Sequence, residues 1–326
     1  MLVKNKFGLI LTLIMVMTIF VSGCGLKDSK NQTNQFSQTF VNGNNAEIKT
    51  ESGTIEVISY KTNDIENNYK ETIKNAEVYL PYGYKSYDTS VKYNILYFMH
   101  GTGGTESSYL GTPSAPSDFK KEIDKMIQNK EIEPLIIVMP TLRCGDDEDY
   151  VARSDDFNDE LIDNLIPAVE QKYNTYTENC SKKGLKESRN HRAFGGFSMG
   201  SLVTWNIFIS DIDYFKYYMP LSCTYENEKS REMSADDAAK IITDSIKKAG
   251  YTSSDYCIFS ATGTKDEFGV PMEALIDSMK KYNDLFMYSE TDFSKGNLIF
   301  YVADGYRHSM DSSCKYIFKG LPLMFK

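Results

Sequence analysis

The pentapeptide Gly196-Phe197-Ser198-Met199-Gly200 has the G-x-S-x-G spacing of a serine set on a sharp strand-to-helix turn. Side chains flanking such a turn would clash, which explains a glycine on either side. A serine hydroxyl at neutral pH is a weak nucleophile and needs a hydrogen-bonded base, normally a histidine that a carboxylate orients. The chain has three histidines. His100 and His191 precede the serine, whereas the chain order that goes with this turn is serine, acid, histidine. That leaves His308, in Gly305-Tyr306-Arg307-His308, as the expected base, the bland alternative being a lone surface histidine.

The acid belongs between positions 198 and 308, at the C-terminal end of a strand. Asp266 fits, following a strand expected over 256–260 through a loop, Ala261-Thr262-Gly263-Thr264-Lys265. Asp255 begins that strand, Asp277 falls within a helix, and Asp304 stands four residues from His308, too close to orient it. Acyl transfer also places negative charge on the former carbonyl oxygen, which fixed backbone N–H groups stabilise by a few kcal/mol. Met199, directly after the serine, supplies one expected donor. The other is expected from the glycine-rich stretch His100-Gly101-Thr102-Gly103-Gly104, at Thr102 with Gly103 next; its spacing is not that of a phosphate-binding G-x-G-x-x-G loop.

The elements that must position these groups follow from hydrophobic periodicity. Residues 54–60 and 75–80 read as an antiparallel pair closed by Pro81-Tyr82-Gly83. Nearly continuous apolar runs at 93–99, 134–139 and 193–197 have the character of strands buried on both faces. Helical spacing is expected over 117–129, 157–173, 202–209, 235–249, 271–282 and 312–321, and further strands over 217–221, 256–260 and 297–302. Such alternation implies an α/β fold, a mostly parallel central sheet with helices on both faces. Trp205 is expected in the core behind the serine, and Tyr109, Tyr225 and Tyr306 lie near the expected site loops.

The N-terminus carries a different signal. Lys4 and Lys6 precede an apolar run over residues 7–20, which ends in Val21-Ser22-Gly23-Cys24. The run is short for a membrane span of about 20 residues, and the small residues before the cysteine match a lipoprotein signal. Residues 1–23 are therefore expected to be a signal peptide and Cys24 the site of lipidation, with an exported protein held at the outer face of a bacterial membrane. Residues 24–50, rich in Asn, Gln, Ser, Thr and Lys, read as a flexible tether, and residues 51–326 as one catalytic domain.

Without the two signal lysines, 34 basic residues face 45 acidic ones, spread along the chain, which disfavours nucleic acid as a partner. Five cysteines besides Cys24 show no C-x-x-C spacing, so no metal site is expected, and disulfides cannot be assigned.

At these residues the chain resembles carbohydrate esterase family 1, and within it the feruloyl esterase modules attached to bacterial xylanases. The resemblance runs from about residue 54 to 325 and is carried by YNILYFMHGTGG at 93–104, EPLIIVMPT at 133–141, HRAFGGFSMGSLVTW at 191–205, YYMPLS at 217–222 and DFSKGNLIFYVADGYRH at 292–308. It implies the α/β-hydrolase fold and cofactor-free hydrolysis, through an acyl-enzyme, of the ester joining ferulate or p-coumarate to arabinose on xylan. Ser198 and His308 match the family's positions, and Asp266 matches more loosely because the acid-bearing loop varies. The chain departs from the family after the histidine, where the modules carry tryptophan and this sequence has Ser309 and Met310. Feruloylated xylan is thus the expected substrate, with acetylated xylan as the enzymatic alternative and a non-catalytic glycan-binding lipoprotein as the alternative from another class.

Overall fold

The computed structural model describes residues 51–64, 70–142, 157–226 and 233–326. The expected signal peptide, Cys24, the tether and Cys144 lie outside the described residues.

Eight strands form one sheet: β1 (Thr54–Asp64), β2 (Lys70–Leu80), β3 (Asn94–Met99), β6 (Leu135–Met139), β7 (Arg192–Phe197), β8 (Tyr217–Leu221), β9 (Cys257–Gly263) and β10 (Leu298–Ala303), in the order β1-β2-β6-β3-β7-β8-β9-β10. A separate two-stranded hairpin, β4 (Gly111–Thr112) with β5 (Ala115–Pro116), follows the glycine-rich loop. β1 pairs antiparallel with β2 and β2 antiparallel with β6; every other neighbour in the sheet is parallel. The sheet is therefore mostly parallel with an antiparallel flap at one edge, the α/β-hydrolase arrangement.

Successive side chains of a strand point to opposite faces, and the apolar runs feed two cores. Ile95, Tyr97 and Met99 of β3 pack on one face, against Leu161, Leu165, Val203, Ile242 and Ile276. Leu96 and Phe98 pack on the other, with Phe119, Ile123, Tyr316 and Ile317. The first face is covered by α2 (Ile166–Glu170), α4 (Met199–Asp211), α5 (Ala235–Ala249) and α6 (Gly269–Lys280), and the second by α1 (Asp118–Gln128) and α7 (Met310–Gly320). A short helix, α3 (Lys182–Glu187), precedes β7.

Local chemistry sets several boundaries. Ser117 caps α1 by accepting the Lys120 N–H at 3.1 Å. Ser234 caps α5, whose first turn carries Asp236 and Asp237 and whose last carries Lys247 and Lys248, the order that complements the helix dipole. Gly250 ends that helix in the left-handed conformation at φ 77°.

Several boundaries differ from the sequence expectation; β1 runs on to Asp64 and β2 begins at Lys70, because the two pair over their whole length. The helical run at 157–173 contains a π-helical turn, Leu161–Leu165, which periodicity alone does not separate from α-helix. The helix expected at 202 starts at Met199, directly on the serine. The strand expected to stop at 260 continues to Gly263, because parallel pairing with β10 runs on to Ala303↔Gly263 and all seven residues are buried; only Thr264 and Lys265 remain of the expected loop before Asp266.

Candidate active site

Parallel strands put their C-terminal ends at one rim, so the residues that leave β3, β7, β9 and β10 there converge. Ser198 follows β7 at φ 57°, ψ −116°, a left-handed backbone that side-chain-bearing residues rarely adopt and that marks local strain. The turn is held from both sides: the Ser198 N–H donates to Leu221 O of the adjacent strand at 2.9 Å, and the Ser198 carbonyl accepts from Ser201 N–H at 2.8 Å. The two flanking glycines are needed for contact, since a Cβ on Gly196 would stand 2.3 Å from the Gly200 carbonyl oxygen.

His308 follows β10, and its Nε2 lies 2.8 Å from Ser198 Oγ. Its Nδ1 faces both oxygens of Asp266, at 3.2 Å from Oδ1 and 3.3 Å from Oδ2. Serine, imidazole and carboxylate, expected from chain order, are thus brought into one hydrogen-bonded line. The imidazole is sandwiched by aromatic rings, Phe197 at 4.6 Å between centroids and Phe268 at 5.0 Å. Packing fixes the ring plane so that the two nitrogens point at their partners.

The loops bearing the acid and the histidine are tied together. The Lys265 N–H donates to Tyr306 O at 3.0 Å, and the Gly305 N–H to Thr264 Oγ1 at 2.8 Å. Gly263 lies so close to the Tyr306 carbonyl that a Cβ would meet its oxygen at 2.2 Å. Asp304 is spent in this clasp, accepting from the Thr264 hydroxyl at 3.1 Å. The Asp266 side chain is fully buried. Burial works against its ionisation, but the bond with His308 and the Phe268 N–H at 2.9 Å from Oδ1 outweigh it and hold the carboxyl below its usual range.

The glycine-rich loop starts against the serine. A Cβ on Gly101 would touch Ser198 Cβ at 3.4 Å and Phe197 Cδ1 at 3.2 Å, and the Gly104 N–H closes the turn on Gly101 O at 3.0 Å. Thr102 sits inside that turn, and Met199 begins α4 on the other side of the serine. His100 is structural: buried, with Nδ1 2.7 Å from Gly101 O and Nε2 3.0 Å from Thr141 Oγ1, it braces the loop. His191 lies away from the serine, stacked on Tyr176 at 3.4 Å and bonded to Asn94.

Trp205 is buried, as expected. Of the three tyrosines near the site loops, Tyr109 is a core residue bonded to Ser313 at 2.6 Å, Tyr225 lines a cavity of about 170 Å³ with Met233, Pro271 and Leu275, and Tyr306 gives its carbonyl to the clasp. Ser309 caps α7 by accepting the Ser312 N–H at 3.2 Å, while Met310 remains 45% exposed. Among the described residues, one group of potential metal-ligand atoms lies within 4.8 Å, that of Asp266, Glu267 and His308; two of its members are already bonded to one another. Cys180, Cys223, Cys257 and Cys314 are unpaired thiols.

Sequence reasoning missed Phe268 and Ser222. Phe268 could have been flagged as the aromatic two residues after the acid; Ser222 carried no signal, because its significance lies in a backbone angle.

Comparison with known proteins places this geometry among relatives. Residues 71–283 match the family model described as "Putative esterase". The chain is 40% identical over 254 residues to endo-1,4-beta-xylanase Y of Acetivibrio thermocellus, covering 77% of this chain and 22% of the relative. It is 30% identical over 173 residues to an endo-1,4-beta-xylanase/feruloyl esterase of Xylanibacter ruminicola, covering 50% of this chain and 21% of the relative. It therefore spans about a fifth of the length of these two relatives. Among solved structures, a serine-to-alanine variant of the feruloyl esterase module from Clostridium thermocellum, complexed with sinapinate, superposes with a TM-score of 0.72 at 36% identity, over 84% of this chain and 89% of that one. A ferulic acid esterase from Anaeromyces mucronatus shares the fold at 19% identity and a TM-score of 0.58, over 86% of this chain and 93% of that one.

Proposed function

This chain belongs to the esterase family of the feruloyl esterase modules, and from that premise we propose that it hydrolyses the ester linking ferulate or p-coumarate to arabinose side groups of plant-wall xylan. The observation that carries the reading is the 2.8 Å contact between His308 Nε2 and Ser198 Oγ, made on a chain 36% identical to a module seen with a hydroxycinnamate bound.

In this reading Ser198 Oγ attacks the ester carbonyl carbon while its proton passes to His308 Nε2. The Nδ1–H donates to Asp266, which fixes the tautomer that leaves Nε2 free to accept and stabilises the imidazolium that results. The backbone N–H groups of Met199 and Thr102 hold the oxyanion. Collapse breaks the bond to the sugar oxygen, which leaves as a hydroxyl by taking the proton from Nε2, and an acyl-serine remains. Water, deprotonated by the same nitrogen, then releases the phenolic acid. The nucleophile of the first half, the base and the oxyanion donors all come from the chain, and water enters in the second half. A bound glycan left intact would need none of this alignment, which argues against a purely carbohydrate-binding role.

The test is incubation with feruloylated arabinoxylan beside acetylated xylan. Free ferulate released faster than acetate is expected; acetate release with no phenolic acid would replace the proposal with a xylan acetylesterase. The Val21-Ser22-Gly23-Cys24 tetrapeptide supports export and lipid anchoring at Cys24. Metabolic labelling with a fatty acid is expected to mark the protein and to fail in Cys24→Ser; equal labelling of both would remove the anchor from the account.

A further inference from the structure

A buried ionised carboxylate needs hydrogen-bond donors on both oxygens, and water cannot supply them where the side chain has no exposure. Asp266 is such a group. Its Oδ1 accepts the Phe268 N–H at 2.9 Å and faces Nδ1 of His308 at 3.2 Å, whereas Oδ2 has only the longer 3.3 Å approach of that same nitrogen. Oδ2 is thus the less well served of the two oxygens.

The residue beside it is Ser222, directly after β8. Ser222 is fully buried and sits at φ 54°, one of four non-glycine residues at positive φ among those described. Its N–H is fixed on Ala261 O of the neighbouring strand at 2.9 Å, so the backbone is pinned in the strained conformation. Its hydroxyl makes no aligned hydrogen bond in this conformation, and neither does the hydroxyl of Tyr316, a fully buried residue of α7. Ser222 neighbours the Asp266 carboxyl, and Tyr316 neighbours both Ser222 and Asp266. Two buried hydroxyls without aligned partners thus stand near the carboxyl group, whose Oδ2 holds one long contact.

We propose that Ser222 is a positioning residue for the acid: its hydroxyl turns to donate to Asp266 Oδ2 while accepting from Tyr316, a relay that fixes the carboxylate's rotamer and moderates its pull on His308. The proposal rests on the serine-esterase reading of the site. A third donor disperses the carboxylate's charge, so its removal leaves more of that charge facing the Nδ1–H of His308. The titratable groups around the acid are His308, Tyr316 from α7, Glu267 in its own loop and Cys223, two residues past β8; removing either the Ser222 or the Tyr316 hydroxyl changes no formal charge there at neutral pH.

The test is NMR titration of the imidazole of His308, which needs no substrate and is simplified by a chain with three histidines. In Ser222→Ala the midpoint is expected to rise by about half a unit or more, and in Tyr316→Phe to rise by less. Ser222→Gly separates hydroxyl from strain: it is expected to shift the midpoint as alanine does, yet melt above the alanine variant because glycine tolerates positive φ. With methyl ferulate, Ser222→Ala is expected to lower kcat about 10-fold at near-constant KM. A His308 midpoint that stays put or moves down in Ser222→Ala overturns the proposal whether or not the wild type hydrolyses ferulate, while a wild type inert towards esters with the expected shift intact overturns only the functional reading.

Discussion

Gly200 packs so closely on Met99 that a methyl group at position 200 would lie 2.3 Å from the Met99 carbonyl oxygen. The first turn of α4 is thereby laid directly on the end of β3, and the serine between β7 and α4 is carried to the rim beside the glycine-rich loop. Backbone atoms of a central strand cannot retreat as a flexible side chain can. Gly200→Ala is therefore expected to destabilise the fold by about 2 kcal/mol or more and to cut activity further than the loss of folded protein explains. Thermal melting and kcat measured on the folded fraction check this; a variant that melts and turns over like wild type would show that the elbow yields.

Asp266 holds the tautomer of His308. Replacing it by asparagine keeps the shape but offers an amide N–H towards Nδ1, favouring the tautomer whose proton sits on Nε2, where it faces Ser198 Oγ instead of accepting from it. Asp266→Asn is expected to lower kcat by about 10²–10⁴ with little change in KM. The measurement is steady-state turnover of a soluble ferulate ester, alongside a far-ultraviolet spectrum showing the fold retained. Activity near wild type would mean that another carboxylate orients the base.

The role proposed for Thr102 depends on its backbone N–H and not on its side chain. Thr102→Ala is expected to keep most activity, whereas Thr102→Pro, which removes the N–H, is expected to lower kcat by about 10²–10³. Equal losses in both variants, read from kcat at saturating substrate, would move the second oxyanion donor elsewhere, Gly103 being next in line.

A stability prediction comes from Glu77 on β2, 3% exposed, with its Oε2 making no hydrogen bond. Burial first, and the nearby Glu106 carboxylate second, push its carboxyl up to about 7 from an ordinary 4.5. The folded state thus holds the proton more tightly than the unfolded one. Below pH 4.5 both states are protonated and the group costs nothing; between pH 4.5 and about 7 the unfolded chain ionises first and stability falls; above that the penalty is constant. Glu77→Gln, which cannot ionise, is expected to gain on wild type across that window by up to about 3 kcal/mol. Urea unfolding at pH 5 and pH 8 measures it, and a difference independent of pH would refute the assignment.

Much of this arrangement is legible in the sequence, and the reason is physical. Strands buried on both faces must be apolar throughout, so 93–99 and 193–197 declare themselves, and the serine turn needs glycines at fixed spacing. Chain order then selects His308 from three histidines without any coordinates. The rest depends on contacts between distant segments. The strand carrying the acid runs to Gly263 because β10 pairs with it, which a local pattern cannot register. Asp304 is diverted to Thr264 by a side-chain bond across 40 positions. Ser222 matters through a backbone angle imposed by neighbouring strands, and the π-helical turn at Leu161–Leu165 shares its periodicity with an ordinary helix too nearly to be told apart.

The central claim is that Ser198 is an activated nucleophile, and its most direct test is reaction with a fluorophosphonate probe followed by peptide mapping. The expected result is a single adduct on the peptide carrying Ser198, formed within minutes at neutral pH and absent from both Ser198→Ala and His308→Ala. An unlabelled wild type that still hydrolyses esters, or an adduct on any other serine, would contradict the account.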